Sequence, residues 1–170
     1  MKRLCYILLF AIYFLLVVYI TLPSPAFPDP PDDSIQSHEP ADSEDPLRRA
    51  YFTNFNRDEV ISHYKSEFSL KFKLPSLVLN YPPEEAQTII RVQTRSTFLQ
   101  EIVHPFRESI YINGFEPSSP KDAINIEGRA WRQKIIIRYI PSSLIVRLIA
   151  TLSTIAVSWL LIKEITKWKK

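Results

Sequence analysis

Glycine and cysteine are nearly missing from this sequence, and each scarcity excludes a class of chemistry. The two glycines, Gly114 and Gly128, stand fourteen residues apart. Phosphate-binding loops, dinucleotide fingerprints and nucleophile elbows need glycines at close, fixed spacing, where the backbone turns sharply or meets a ligand without a Cβ in the way. None of these can be written here. The one cysteine, Cys5, lies in an apolar run near the amino terminus. The rest of the chain therefore has no disulfide, no thiol nucleophile and no cysteine zinc site. Cys5 also precedes the apolar core of that run, which fits no lipidated leader. No Asn-x-Ser/Thr glycan acceptor occurs.

Charge of one sign is missing locally. From Asp29 to Asp45 there are seven acidic residues and no Lys or Arg, whereas Arg48 to Arg138 carries fourteen basic against ten acidic. The net charge of +3 averages opposed segments. It is no argument for nucleic acid, which is not an expected partner.

Charge of either sign is missing from two runs. Residues 4–22 have none, and residues 144–162 have only Arg147; each run is 19 residues long. As helices these span roughly 28 Å, close to the ~30 Å hydrocarbon core of a bilayer. A lone stretch in lipid must satisfy its own backbone, so helix is the expected form. Lys2 and Arg3 precede the first run, and no Lys or Arg follows it until Arg48. The excess of positive charge expected on the inner side then places both termini in the cytoplasm, residues 23–143 outside and 163–170 as a basic inner tail. The competing reading is a cleaved signal peptide with Ser24-Pro25-Ala26 as its small-x-small site. A run longer than ~7–15 residues and the crowding prolines favour a retained span. The lipid bilayer is thus the first expected partner.

Both runs carry a patterned face. Arg147, Thr151, Thr154 and Ser158 are spaced 4, 3 and 4, and Ala150, Thr154 and Ser158 form a small-xxx-small row. Small and hydroxyl residues mark helix packing in lipid, where no hydrophobic drive exists between helices. Tyr6, Phe10, Tyr13 and Val17 repeat the 4-3-4 spacing in the first run. The expectation is that these faces pack together or against another membrane or envelope protein. Arg147 lies one turn inside its run and is expected to snorkel outward.

Between the runs the sequence divides in two. Residues 23–46 are prolines, acids and serines, read as a disordered tether. Residues 47–140 are expected to fold. Ala50–Thr53 reads as a strand. Asn56 and Glu59 form a capping box, with Phe55 and Val60 as a staple, opening a helix whose apolar face is Val60, Ile61, Tyr64 and Phe68. Leu70–Leu74 and Leu77–Leu79 read as strand. Pro82-Pro83-Glu84-Glu85 opens a helix expected to end near Val103, before Pro105. Ser109–Phe115 reads as a strand, with Asn113-Gly114 as a turn or bulge signal. Ile124–Ile126, the turn Glu127-Gly128 and Trp131–Ile140 read as a hairpin. The fold class expected is α+β: a small, mostly antiparallel sheet with two helices on one face, flanked by two transmembrane helices.

Candidates for chemistry are few. His63 and Glu67 stand four apart, and Glu101 and His104 three apart, so together they offer two imidazoles and two carboxylates to a metal. Ordinary surface helix residues explain the same spacing, and no metal or cofactor is expected. Arg91 and Arg95, like charges one turn apart, are candidates to grip an anion, as are Arg132, Lys134 and Arg138 beside the second run. Internal ion pairing is the plainer account of both. The expectation is a membrane-tethered, non-enzymatic interaction or accessory subunit. A surface metal-binding protein or hydrolase and a ligand-binding or sensor domain are the alternatives.

Overall fold

The computed structural model describes residues 2–70, 74, 76–82, 84–86 and 96–168. They form two compact units, one of residues 24–141 and one of the two chain ends flanking it.

The central unit is α+β. Its main sheet has six antiparallel strands in the order β1-β2-β8-β5-β4-β3: β1 (Ile35–Gln36), β2 (Arg48–Thr53), β3 (Leu77–Tyr81), β4 (Phe98–Val103), β5 (Ser109–Phe115) and β8 (Gln133–Ile140). A separate hairpin pairs β6 (Ile124–Ile126) with β7 (Arg129–Trp131). Its turn is Glu127-Gly128, both at positive φ, the backbone that matches the twist of a two-residue hairpin. The expected strand from Trp131 is interrupted at Arg132. Even so, Trp131, Gln133, Ile135, Ile137 and Tyr139 are all buried, as their alternation predicts.

One helix, α3 (Arg57–Glu67), covers the core face of the sheet. Its start is the predicted capping box: the Asn56 side chain accepts from the Glu59 N–H at 3.0 Å, and the Asn56 N–H donates to the Glu59 carboxylate at 2.6 Å. Val60, Tyr64 and Phe68 pack onto Tyr51, Phe98, Ile102, Ile110, Ile112, Ile135, Ile137 and Tyr139.

Three expectations are corrected. First, only residues 84–86 of the second helix are helical within the described part; 87–95 lie outside it, and Phe98–Val103 is strand. Phe98 and Ile102 enter the core, while Leu99 and Glu101 are buried on the opposite face. A strand covered on both faces loses its alternation and mimics a helical arc. Second, Asn113 and Gly114 make no turn. They pair with Leu99 and Phe98 on one side and with Ile136 and Ile135 on the other. Gly114 is needed because a Cβ there would run into the Phe98 ring.

Third, residues 24–46 lie along the domain and are not a loose tether. Phe27 packs against the core, edge-on to Tyr139 and under the Arg49 guanidinium at 4.3 Å. Pro28 and Pro31 are buried. β1 adds to the sheet edge through Ile35–Phe52 and Gln36–Tyr51. A one-turn helix, α2 (Pro40–Ser43), brings Asp42 into burial. Proline lowers the entropy lost on ordering, so one aromatic anchor and a few ion pairs suffice. The expected strand Leu70–Leu74 falls largely outside the described residues.

The flanking unit contains α1 (Lys2–Thr21) and α4 (Leu144–Trp168), which touch each other. Ser143 caps α4: its side-chain oxygen accepts from the Val146 N–H at 3.3 Å. Among the described residues one helix, α4, is long and apolar enough to cross a membrane; Tyr6–Thr21 is a shorter apolar helix.

Candidate functional site

The four metal candidates are dispersed. His63 is half-buried on α3, with Nε2 3.0 Å from the Asp29 carbonyl. Glu67 is exposed on the same helix. Glu101 is buried on β4, where it accepts from the Tyr81 hydroxyl and from Ser109 Oγ at 2.5 Å. Burial and the hydrogen bond to this carboxylate push the Tyr81 hydroxyl pKa up. His104 is fully buried in the turn after β4. Among the described residues no group of three His, Cys, Asp or Glu is placed to hold a metal.

The basic stripe meets the acidic segment that the sequence separated from it. Lys134 Nζ stands 2.6 Å from Asp42 and 2.8 Å from Glu39. Asp42 also accepts from Ser37 Oγ at 2.7 Å and lies 3.7 Å from Arg48. Arg129 pairs with Asp33, and Arg132 with Glu116 at 2.8 Å. Arg138 is exposed on β8. Most of the stripe is therefore internally neutralised. Arg91 and Arg95 lie outside the described residues.

On the flanking helices the expected faces are covered in part: Tyr13 and Val17 on α1, and Arg147, Thr151 and Ser158 on α4, are buried or half-buried. Tyr6 and Phe10 are exposed, while Leu9, Tyr13, Leu16, Val17, Tyr19 and Ile20 are the more covered positions of α1. On α4, Arg147 and Thr151 are buried and Ile155 and Ser158 half-buried, whereas Ala150 and Thr154 are exposed. The hydroxyls of Thr151 and Thr154 donate to their own helix, to the carbonyls of Arg147 and Ala150, each at 2.8 Å. This removes them as interhelical hydrogen-bond donors. Arg147 does turn back toward the helix start, donating to the Ser142 carbonyl at 2.7 Å.

A buried polar cluster sits where the sequence offered only a helix end. His104–Glu108 closes the β4–β5 hairpin, with His104 N–H donating to the Glu108 carbonyl and Arg107 N–H to the His104 carbonyl. Arg107 donates through Nε and Nη2 to Glu108 Oε1, at 3.1 and 2.9 Å, with both side chains wholly covered. Ser24 Oγ donates to Glu108 Oε2 at 3.2 Å. His104 donates from Nε2 to the Phe68 carbonyl at 2.7 Å and lies against the Phe68 ring. Phe106, at the tip, is 69% exposed and has φ 62°. A sequence signal existed in the apolar pair Pro105-Phe106 set between ionisable residues, but the expected helix concealed it.

Two further features lie at the surface of the described residues. Among these residues β3 is an edge strand, with Leu77, Val78 and Leu79 exposed. A cleft of about 310 Å³ beside it is lined by Arg57, Asn80, Tyr81 and Phe98; Arg57 is already engaged, donating to the Asn80 side chain at 2.7 Å.

No protein-family profile, curated protein or solved structure matches this chain.

Proposed function

We propose that this chain is a membrane-anchored, non-enzymatic subunit whose domain is held outside the membrane and associates with another membrane or envelope protein. The observation that carries the anchoring is α4. It is 25 residues long, and only 11% of its most apolar window is covered. A core helix of a soluble domain would be largely covered instead. α4 begins three residues after Pro141, so the domain is tied closely to its anchor. α1 is a second span in this reading, with both termini cytoplasmic, because Lys2 and Arg3 precede it and acids follow it. The interaction role draws support from the apolar edge strand β3, which pairs only with β4 among the described residues, since a strand edge is a template for a partner strand. It draws further support from the ion pairs Lys134–Asp42, Arg129–Asp33 and Arg132–Glu116, which engage much of the basic stripe within the domain. Reporters of compartment fused at each terminus test the topology. Both are expected to report the cytoplasm, and an external signal from either overturns the two-span reading. Affinity capture of the full chain from solubilised membranes tests the role; recovery without a stoichiometric partner overturns it.

A further inference from the structure

We infer that the β4–β5 hairpin tip, Pro105-Phe106, is a lipid-contacting element that seats the domain on the outer leaflet of the membrane it is anchored in. The inference rests on the reading of α4 as a membrane span. Three observations within the domain point to it.

The first is the chemistry of the turn. Phe106 projects into open surface, while the charges beside it, Arg107 and Glu108, are folded inward and neutralise each other under complete cover. A loop built for water would expose its charges and hide its aromatic ring. This one does the reverse, as interfacial membrane contacts do. Aromatic rings favour the headgroup region, and a hidden ion pair removes the penalty of bringing charge there.

The second is backbone strain. Phe106 holds φ 62°, a region bulky side chains disfavour. Phenylalanine at a position suited to Gly or Asn calls for a benefit outside the turn itself.

The third is chain length. Ser109, at the base of the tip, pairs with Ile140. Leu144, the start of α4, follows four residues later, at most about 14 Å of extended chain. The other connection enters at the same place: Ser24 bonds Glu108, and α1 ends at Thr21. By contrast the Glu127-Gly128 turn lies beyond the far end of β8, an eight-residue strand of roughly 27 Å. Both chain connections to the flanking helices therefore leave the domain at the end that carries Phe106.

The test uses the full chain in phosphatidylcholine vesicles, in a Cys5→Ala background. Single cysteines replace Phe106, Glu127 and Val157 in turn, each carrying an environment-sensitive fluorophore. Lipids with a nitroxide near the headgroup are expected to quench the probe at 106, with a blue-shifted emission, and to leave the probe at 127 unquenched. Lipids with a nitroxide deep in the acyl chain are expected to quench the probe at 157. Quenching at 157 without quenching at 106 overturns this inference alone. Absence of quenching at 157 overturns the membrane-span reading and this inference with it. Nuclear magnetic resonance of the unsubstituted chain in nanodiscs is independent of the replacements. A headgroup-borne nitroxide should broaden the Phe106 ring signals and spare the Gly128 amide; equal sharpness of both overturns the inference.

Discussion

Single side chains set the tolerances of this domain. Gly114 lies in the middle of β5, and its missing Cβ is the space that Phe98 fills. Gly114→Ala is expected to overpack the core and cost about 1–3 kcal/mol in chemical denaturation. His104 couples the stability of the domain to pH. Burial lowers its pKa below the ordinary 6.5, against smaller opposing effects of the Phe68 carbonyl and Glu108. Neutral His104 donates from Nε2, and Nδ1 has no partner among the described residues. Protonation would create a second N–H with no acceptor. The unfolded chain binds this proton more readily than the folded one. The His104 contribution is therefore fully present above about pH 6.5 and is lost as pH falls through the interval below it. Denaturation midpoints measured from about pH 7.5 to pH 5 should fall, and His104→Gln should flatten that slope.

Among the elements, the segment 24–46 departs furthest from its composition. It is rich in proline and acid, the usual signature of disorder. Its order comes from places outside itself: Phe27 reaches the core, β1 finds the edge of β2, and Asp42 finds Lys134, Arg48 and Ser37. Asp42 is buried, and its truncation would take this carboxylate from Ser37 and Arg48 and leave Lys134 with Glu39 alone. Asp42→Ala is expected to cost about 2–3 kcal/mol in urea denaturation of the full chain. Limited proteolysis should then cut first within residues 24–46. α3 is the opposite case, since its cap, staple and apolar face are local. β4 lies between the two. Its residues fit a helical arc, and only pairing with β3 and β5 makes it strand.

At the scale of the whole molecule, the two flanking helices touch, and their covered positions include Arg147, Thr151 and Ser158 of the expected seam but not Ala150 or Thr154. Leu16 and Ile20 of α1, with Thr151 and Ile155 of α4, are among the more covered positions. Cysteine pairs drawn from these two sets, in a Cys5→Ala chain, are expected to form a disulfide in membranes. Pairs drawn from Phe10 and Ala150 or Thr154 should not. Cross-linking of the second set alone would return the contact to the original seam. What the sequence by itself determined is whatever depends on neighbours along the chain: two apolar helices, the capping box at Asn56, the Glu127-Gly128 turn and the buried face of β8. The absence of glycine loops and of cysteine outside the first run likewise needed no coordinates. The tertiary structure alone decided the strand identity of Phe98–Val103, the purpose of Gly114, the docking of residues 24–46 and the inward-turned charges beside Phe106. Each of these depends on groups far apart in sequence. Local preference is worth tenths of a kcal/mol per residue, and burial or pairing across the fold outweighs it.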